Sequence, residues 1–234
     1  MNKTLEININ SIHTTQLGLQ RISRNISIEV NDVEAWCKNA VKNADIIFSM
    51  GKNNYVYSKG NVITLHKGSN SVITAHRINP TIREIKVSEY ECLREYLYQA
   101  IYVPKGSPLP SRDVLDIPEI YIYIKDFGLQ KSDLCVVAVQ NNQIIGAAWT
   151  RIIPAYGYLD DETPELAISL LPEFRGYGIG TKLMDKLFTL LKNNGYTKTS
   201  LSVQKENLAF KLYQRLGYEI FDEREEDYLM VKQL

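Results

Sequence analysis

Glu165-Leu166-Ala167-Ile168-Ser169-Leu170-Leu171-Pro172-Glu173-Phe174-Arg175-Gly176-Tyr177-Gly178-Ile179-Gly180-Thr181-Lys182-Leu183 is the stretch that decides the fold of this chain. An apolar strand leads into a glycine-rich turn, and the turn opens a helix. Because glycine has no Cβ, the backbone of such a turn can come close to a ligand. The first N–H groups of the helix point at one place, where Arg175 adds a positive charge. The stretch therefore predicts a phosphate-binding loop.

The glycine spacing separates this loop from two common phosphate-binding motifs. A dinucleotide-binding loop has the pattern G-x-G-x-x-G, and a Walker loop ends in G-K-[ST]. This chain instead has G-x-G-x-G over 176–180, followed by Thr181-Lys182. Neither motif is therefore present here.

Two segments of the chain resemble the Gcn5-related N-acetyltransferase (GNAT) family. The pattern Arg175-x-x-Gly178-x-Gly180 is similar to the pyrophosphate loop of that family. Residues 201–219 resemble its second signature, in which a strand, an Asn, a helix with a Tyr and a Gly-aromatic pair follow one another. The two segments stand in the family's order, and the resemblance covers residues 81–234.

The resemblance implies a central mixed, mostly antiparallel sheet flanked by helices, with acetyl-coenzyme A as co-substrate. The loop would hold its pyrophosphate, and the strands near Leu170 and Ser202 would splay apart around its pantetheine arm. Backbone groups of Leu170 would bind this arm and contribute an oxyanion site. Asn207 would either hold the arm or cap its own helix. The expected coenzyme-binding residues are Leu170, Arg175, Gly176, Tyr177, Gly178, Ile179, Gly180, Thr181 and Asn207.

The acceptor amine needs a base, because an alkyl amine with a pKa near ~10.4 is mostly protonated at neutral pH. All three histidines, His13, His66 and His76, lie in the first third of the chain. The base is therefore a carboxylate, a water relay or a histidine from that first part. Strand alternation places Glu165 on the face toward the cleft, where partial burial raises a carboxyl pKa. We expect Glu165 to act through water; the alternative is a strand end in solvent.

Tyr213 is the expected acid for the departing thiolate, as the family pattern implies. A thiol near ~8.5 and a phenol near ~10 differ by about 1.5 pKa units, so the transfer costs about 2 kcal/mol. A core tyrosine is the alternative, because Tyr213 shares a helical stripe with Ala209, Leu212 and Leu216.

Three segments are expected to select the acceptor, an amine of a small molecule or a peptide. They are the first helix of the second unit, the Val103–Pro118 loop and the tip around 156–161. Tyr98, Tyr102, Tyr156 and Tyr158 offer aromatic surface, and Asp160 and Asp161 offer negative charge. Packing and solvated tip charges are the alternative for these residues.

The composition is that of a globular chain with two unlike parts. Of the 27 basic and 27 acidic residues, nine and five precede Pro80, which leaves eighteen and twenty-two after it. Cys37, Cys92 and Cys135 lack metal-ligand spacing, so we expect free thiols and no metal. The first residues lack the apolar core of a signal peptide, and no apolar run approaches the ~20 residues of a membrane helix. We therefore expect a cytoplasmic location.

The periodicity divides the chain at Asn79-Pro80. Residues 12–43 are predicted to form two helices, and four short strands follow between Asp45 and Arg77. The predicted domains are 1–79, a small α+β unit with a four-stranded antiparallel sheet, and 80–234, the α/β (α+β) acetyltransferase unit. The second unit is predicted to begin with a strand at Ile82–Val87 and a helix capped by Ser88.

The first unit resembles a short bacterial domain family of unassigned function. Its element order is also similar to the toxin ribonucleases related to barnase and colicin D. Metal-free RNA cleavage needs a base, an acid and cations, and an excess of positive charge favours a polyanion. The residues of suitable type are His13, Thr74 and His76, with Arg21, Lys52 or Arg77. A binding module, or one that forms a homodimer, is the alternative.

Three functions follow from these observations. The leading one is an acetyl-CoA-dependent N-acetyltransferase. The second is a toxin-like or bifunctional protein whose first unit acts on RNA. The third is a non-catalytic acetyl-CoA sensor that keeps the binding loop.

Overall fold

The computed structural model describes residues 7–104 and 106–234. The chain contains two compact units, Met1–Asn79 and Pro80–Leu234, and each is described separately. Residues 1–6, on which the expectation about a signal peptide rests, lie outside the described residues. Among the described residues, no helix is both long and apolar enough to cross a membrane.

The first unit packs two helices on a four-stranded sheet. The helices are α1 (Gln16–Ile26) and α2 (Val33–Lys42), and the strands are β1 (Ile46–Met50), β2 (Asn53–Ser58), β3 (Asn61–His66) and β4 (Val72–Arg77). The sheet is antiparallel in the order β1-β2-β3-β4. Thr15 caps α1, because its hydroxyl accepts the Gly18 N–H at 3.1 Å. The predicted α+β arrangement is confirmed.

The second unit contains seven strands and four helices among the described residues. In chain order they are β5 (Thr81–Glu84), α3 (Leu93–Ala100), α4 (Pro118–Tyr121), β6 (Leu134–Gln140), β7 (Gln143–Arg151), β8 (Glu165–Leu170), α5 (Ile179–Asn193), β9 (Lys198–Gln204), α6 (Phe210–Arg215), β10 (Glu219–Glu223) and β11 (Asp227–Gln233). The sheet order is β10-β11-β9-β8-β7-β6-β5. Neighbouring strands are antiparallel except β8 and β9. The mixed, mostly antiparallel sheet is confirmed.

Helices cover both faces of this sheet at β8. The Ser169 hydroxyl donates to the Tyr96 carbonyl of α3 at 2.6 Å. A Cβ on Gly180 of α5 would lie 3.9 Å from side-chain atoms of Ile168 and Leu170. Since alternate residues of a strand point to opposite faces, α3 and α5 lie on opposite sides of β8.

Two predictions for the start of this unit were wrong. Ser88 does not cap a helix: Glu89 accepts the Lys86 N–H at 2.9 Å, and a 3₁₀ turn precedes α3. Glu89 is held there by an ion pair with Arg83, which local propensity does not reveal. The segment Val103–Pro118 is not a simple loop either, because 112–116 form a 3₁₀ turn that leads into α4.

Candidate active site

Strands β8 and β9 separate soon after they meet. In the described part of the chain they pair at Glu165 and Ser200, where the Ser200 N–H donates to the Pro164 carbonyl at 3.1 Å. By contrast, β8 pairs with β7 along its whole length. The Leu171 N–H bonds to β7, so the backbone groups of Leu166, Ile168 and Leu170 turn the other way, toward β9. Beyond Glu165 they face a gap between the two strands.

The glycine loop stands at the open end of this gap. Gly176 and Gly178 have φ angles of +83° and +74°, in the left-handed region that favours glycine. A Cβ at either position would meet no atom within 4 Å, so the space beside the loop is open. Gly178 is the N-cap of the 15-residue helix α5 and has no side chain to bind the first N–H groups. These groups are therefore left for an anion.

Gly180 differs from the other two glycines of the motif. It lies within α5, and a Cβ there would make an ordinary contact of 3.5 Å with Leu212 of α6. Packing alone therefore tolerates a small side chain at Gly180. Tyr177 is partly exposed, Ile179 is buried as the first residue of α5, and Thr181 is half-buried.

Arg175 ties the loop to its surroundings. Its Nε donates to the Leu170 carbonyl at 3.0 Å, and its guanidinium also donates to the Gln99 carbonyl at 3.2 Å. The guanidinium is thus held against the end of β8 and against α3. The carbonyl of Leu170 is occupied by this contact, so its N–H is the backbone group that remains toward the gap.

The two residues of the second signature are placed differently. Asn207 caps its segment, because its Oδ1 accepts the Ala209 N–H at 2.9 Å. Tyr213 is only 8% exposed and lies edge-on to Tyr218, with ring centroids 5.9 Å apart. Burial raises the pKa of Tyr213 to about 12. Tyr213 is thus a buried residue that packs against Tyr218.

Glu165 lies at the closed end of the gap and is 4% exposed. Its Oε1 accepts the Tyr123 hydroxyl at 2.5 Å and the Gly157 N–H at 2.8 Å. Its Oε2 is buried and has no hydrogen-bond partner among the described residues. Burial raises the pKa of Glu165 to about 7, against the opposing effects of Tyr123, Gly157 and Arg224. The expected burial is present, and it is more complete than a strand end in solvent would allow.

Tyr123 and Gly157 are neighbours of Glu165 that sequence reasoning missed. Tyr123 is 42 residues from Glu165 and follows α4, in a stretch without a motif. A Cβ on Gly157 would come within 2.7 Å of the Glu165 carboxyl group, so a side chain there would displace the Glu165 carboxyl group. The one signal in the sequence is the isolated Gly157 between two tyrosines, and it does not identify Glu165.

The residues expected to meet the acceptor are largely bonded within the chain. Asp160 pairs with Lys198 at 2.6 Å and accepts the Thr163 hydroxyl, which together lower the pKa of Asp160 to about 2. Asp161 accepts the Tyr158 hydroxyl at 2.8 Å. The Tyr98 hydroxyl donates to the Pro110 carbonyl, so this ring organises the 103–118 segment.

The ribonuclease candidates of the first unit do not come together. His13 bridges to Ser71 just before β4, whereas His76 lies five residues further along, about 16 Å of extended strand away. Arg21 of α1 donates to the Ile73 carbonyl at 2.6 Å. Ala75 joins the helix-facing core, which places Thr74 and His76 on the other face of the sheet. Action on RNA stays a prediction without an assembled site in the described residues.

No group of three potential metal ligands is found among the described residues.

Residues 95–218 match the model of the acetyltransferase (GNAT) family, and residues 6–76 match the model of a protein family of unknown function (DUF3781). The first match spans more than half of the chain.

Several known proteins are similar to the second part of the chain. A ribosomal protein bS18-alanine N-acetyltransferase from Haemophilus influenzae is 34% identical over 152 residues, which cover 63% of this chain and 86% of that protein. N-alpha-acetyltransferase 30 from Schizosaccharomyces pombe is 28% identical over 127 residues, covering 52% and 80%. Among solved structures, PaiA N-acetyltransferase from Thermoplasma acidophilum in complex with coenzyme A has a TM-score of 0.48 at 20% identity, covering 67% and 100%.

Proposed function

The chain belongs to the acetyltransferase (GNAT) family, and we propose that residues 80–234 transfer an acetyl group from acetyl-coenzyme A to an amine. The observation that carries this proposal is the gap between β8 and β9, which opens onto the N-terminus of α5. Unpaired strand backbone is suited to bind an extended thioester arm, and a helix N-terminus is suited to bind a diphosphate.

The coenzyme would be held mainly by the main chain. The N–H groups of the 176–181 segment suit the diphosphate, and the open space at Gly176 and Gly178 permits close approach. The N–H of Leu170 faces the gap and suits the arm or the thioester oxygen. Arg175 supports this arrangement from the side, because its contacts hold the loop against β8.

Glu165 is the proposed base. The acceptor ammonium gives a proton to the Glu165 carboxylate through water, and the freed amine attacks the thioester carbon. The C–N bond forms, the C–S bond breaks and the thiolate leaves, while the second proton of the attacking nitrogen passes to water. A base with a pKa of about 7 is half ionised at neutral pH, which suits proton removal.

Tyr213 is the proposed donor of the proton that the thiolate takes up, and its burial makes this transfer harder. A phenol with a pKa of about 12 lies roughly 3.5 units above a thiol near ~8.5, a difference of about 5 kcal/mol. Tyr213 is therefore a helpful acid rather than an obligatory one.

The α-amine of a peptide is the acceptor class that this base suits best. An α-amine titrates near ~7.7–8.0, so its proton moves to Glu165 at a cost of about 1 kcal/mol, whereas an alkyl amine near ~10.4 costs about 5 kcal/mol. The names of the two curated relatives, which acetylate an alanine of bS18 and α-amines, support the same class.

Thiol release from acetyl-coenzyme A tests the proposal directly. The full chain is assayed with peptides that carry a free N-terminus, the same peptides with a blocked N-terminus, polyamines, amino acids and aminoglycosides. We expect turnover with the free peptides and none with the blocked ones. Coenzyme binding without thiol release from any amine would indicate a sensor instead of an enzyme.

A further inference from the structure

The two oxygens of the Glu165 carboxylate have different surroundings. Oε1 accepts the Tyr123 hydroxyl and the Gly157 N–H, while Oε2 is buried and has no partner among the described residues. The oxygens of a free carboxylate are equivalent, so this difference is imposed by the neighbours. Oε2 is the oxygen left to bind a proton, because both donors hold Oε1.

We propose that Tyr123 is a positioning residue, which holds Glu165 so that Oε2 is its proton-accepting oxygen. The inference rests on the proposed role of Glu165 as base. In the reaction, the proton that leaves the acceptor ammonium binds Oε2, while the Tyr123 hydroxyl keeps its own proton. Tyr123 thus acts on the reaction through Glu165 alone.

The backbone around Tyr123 is anchored on β7. The indole Nε1 of Trp149 donates to the Tyr123 carbonyl at 3.1 Å. The guanidinium of Arg151 donates to the Ile122 carbonyl at 2.8 Å and to the Lys125 carbonyl at 2.5 Å. Three carbonyls of one short segment are thereby held by two side chains of one strand. These bonds fix the backbone position from which the Tyr123 side chain reaches Glu165.

Asp133 completes the anchor. It binds Arg151 through both carboxylate oxygens, at 2.8 and 3.1 Å, and neither side chain is more than 4% exposed. Its Oδ2 also accepts the N–H groups of Gly128 and Gln130. A buried ion pair of this kind adds little net stability compared with apolar residues of similar volume. The Arg151–Asp133 pair instead holds the segment 122–130 in one conformation.

Two charged or titratable side chains from other elements act on Glu165. Tyr123 comes from the segment after α4, and Arg224 comes from the β10–β11 turn, where it donates to the Tyr156 carbonyl at 2.6 Å. Tyr156, in the loop before β8, acts on Tyr123. Arg151 stands opposite Glu165 on β7, but its guanidinium is bound to Asp133. The Tyr123 hydrogen bond lowers the pKa of Glu165, against the larger effect of burial. Removal of this hydroxyl must therefore raise that pKa.

The test is a titration of the ligand-free full chain by NMR, with 13C-labelled glutamate carboxyl groups. The signal missing from Glu165→Gln identifies Glu165. We expect Tyr123→Phe to raise its midpoint by about one pH unit, because one hydrogen bond to the carboxylate is lost. The matched control is Tyr121→Phe, since Tyr121 lies two residues earlier and is 39% exposed. This control should leave the midpoint unchanged.

A second variant tests the anchor while both Tyr123 and Glu165 stay in place. Arg151→Met combined with Asp133→Leu removes the ion pair without leaving a buried charge unpaired. This double variant should raise the titration midpoint of Glu165 by a smaller amount than Tyr123→Phe does. If neither variant moves the midpoint, the positioning role is overturned.

The enzyme assay separates this inference from the proposed function. In an active enzyme, the acid limb of the kcat/KM profile should move to higher pH in Tyr123→Phe by the same amount as the NMR midpoint. A shifted NMR midpoint in a chain that never releases thiol would support the positioning role and count against acetyl transfer.

Discussion

The two ends of β8 are built on different principles. At the Leu170 end, the loop, its glycines and the start of α5 follow one another directly in the chain, and the open space there is lined by main-chain groups. At the Glu165 end, the carboxylate is contacted by three other segments. Tyr123 and Arg224 lie far away in the sequence, and Gly157 lies eight residues before Glu165. A binding site made of main-chain groups can thus be predicted from the local sequence, whereas the pKa of a side chain depends on long-range contacts.

The largest effect is expected from Gly178→Val at the loop end. Valine is strained at a φ of +74°, and its Cβ fills the space through which a phosphate approaches the N–H groups. We expect the variant to lose two hydrogen bonds from main-chain N–H groups to the charged diphosphate. Each such bond contributes about 1.5–3 kcal/mol, so coenzyme binding should weaken by at least about 10²-fold. Isothermal calorimetry measures the affinity.

Gly195→Val is the matched control for this loop variant. Gly195 has a φ of +85° and lies just past the far end of the same helix, with no atom near a built Cβ. It should reduce stability to a similar extent and leave coenzyme affinity unchanged. Equal affinity in both variants would contradict the assignment of the loop.

Glu165→Gln tests the closed end of β8. Without the carboxylate, the acceptor amine loses its base, so kcat/KM at pH 7 should fall by about 10²-fold or more while coenzyme affinity stays the same. Glu162→Gln, three residues earlier and exposed, should behave like the unaltered chain. A rate that survives Glu165→Gln would assign the base elsewhere.

Tyr213→Phe should have a smaller effect on turnover. Because the pKa of Tyr213 is about 12, the phenol donates its proton at a high cost, and water competes for the role. We expect kcat to fall by about 10-fold to 10²-fold with an unchanged coenzyme affinity. An unaltered kcat in steady-state assays would leave Tyr213 as a residue of α6 that packs against Tyr218.

Glu165 should also make the free energy of unfolding depend on pH. Glu165 has a folded pKa of about 7, above its unfolded value near ~4.3, so its protonated form is favoured by folding. The folded chain holds more protons between these values, and stability from this group falls as the pH rises through that window. Between pH 5 and 8 the loss should be about 2–3 kcal/mol.

Urea unfolding of the chain and of Glu165→Gln at pH 5 and pH 8 measures this contribution. The glutamine variant should lack the Glu165 part of the difference. The same pH difference in both proteins would mean that Glu165 titrates in the folded state near its unfolded value.

Particular residues show how far local reasoning reaches. Thr15 caps α1, and Asn141-Asn142 form the turn of the β6–β7 hairpin with positive φ angles. A helix cap and a hairpin turn each depend on residues that are close in the sequence. Ser88 failed as a cap because Arg83 holds Glu89 across a turn. Asp160 is expected to face a ligand, but Lys198, 38 residues away, binds it instead.

The amino-acid sequence by itself determined the strand–loop–helix, the acetyltransferase resemblance and the two-part organisation of the chain. Backbone conformation, periodicity and capping depend on residues that are close in the chain, so each produces a pattern that is recognisable in the sequence. The tertiary structure alone decided that Glu165 is enclosed, that Oε2 is its unpartnered oxygen and that Tyr123 holds the other. Burial and hydrogen bonding set a pKa, and both depend on which distant segments the fold brings together.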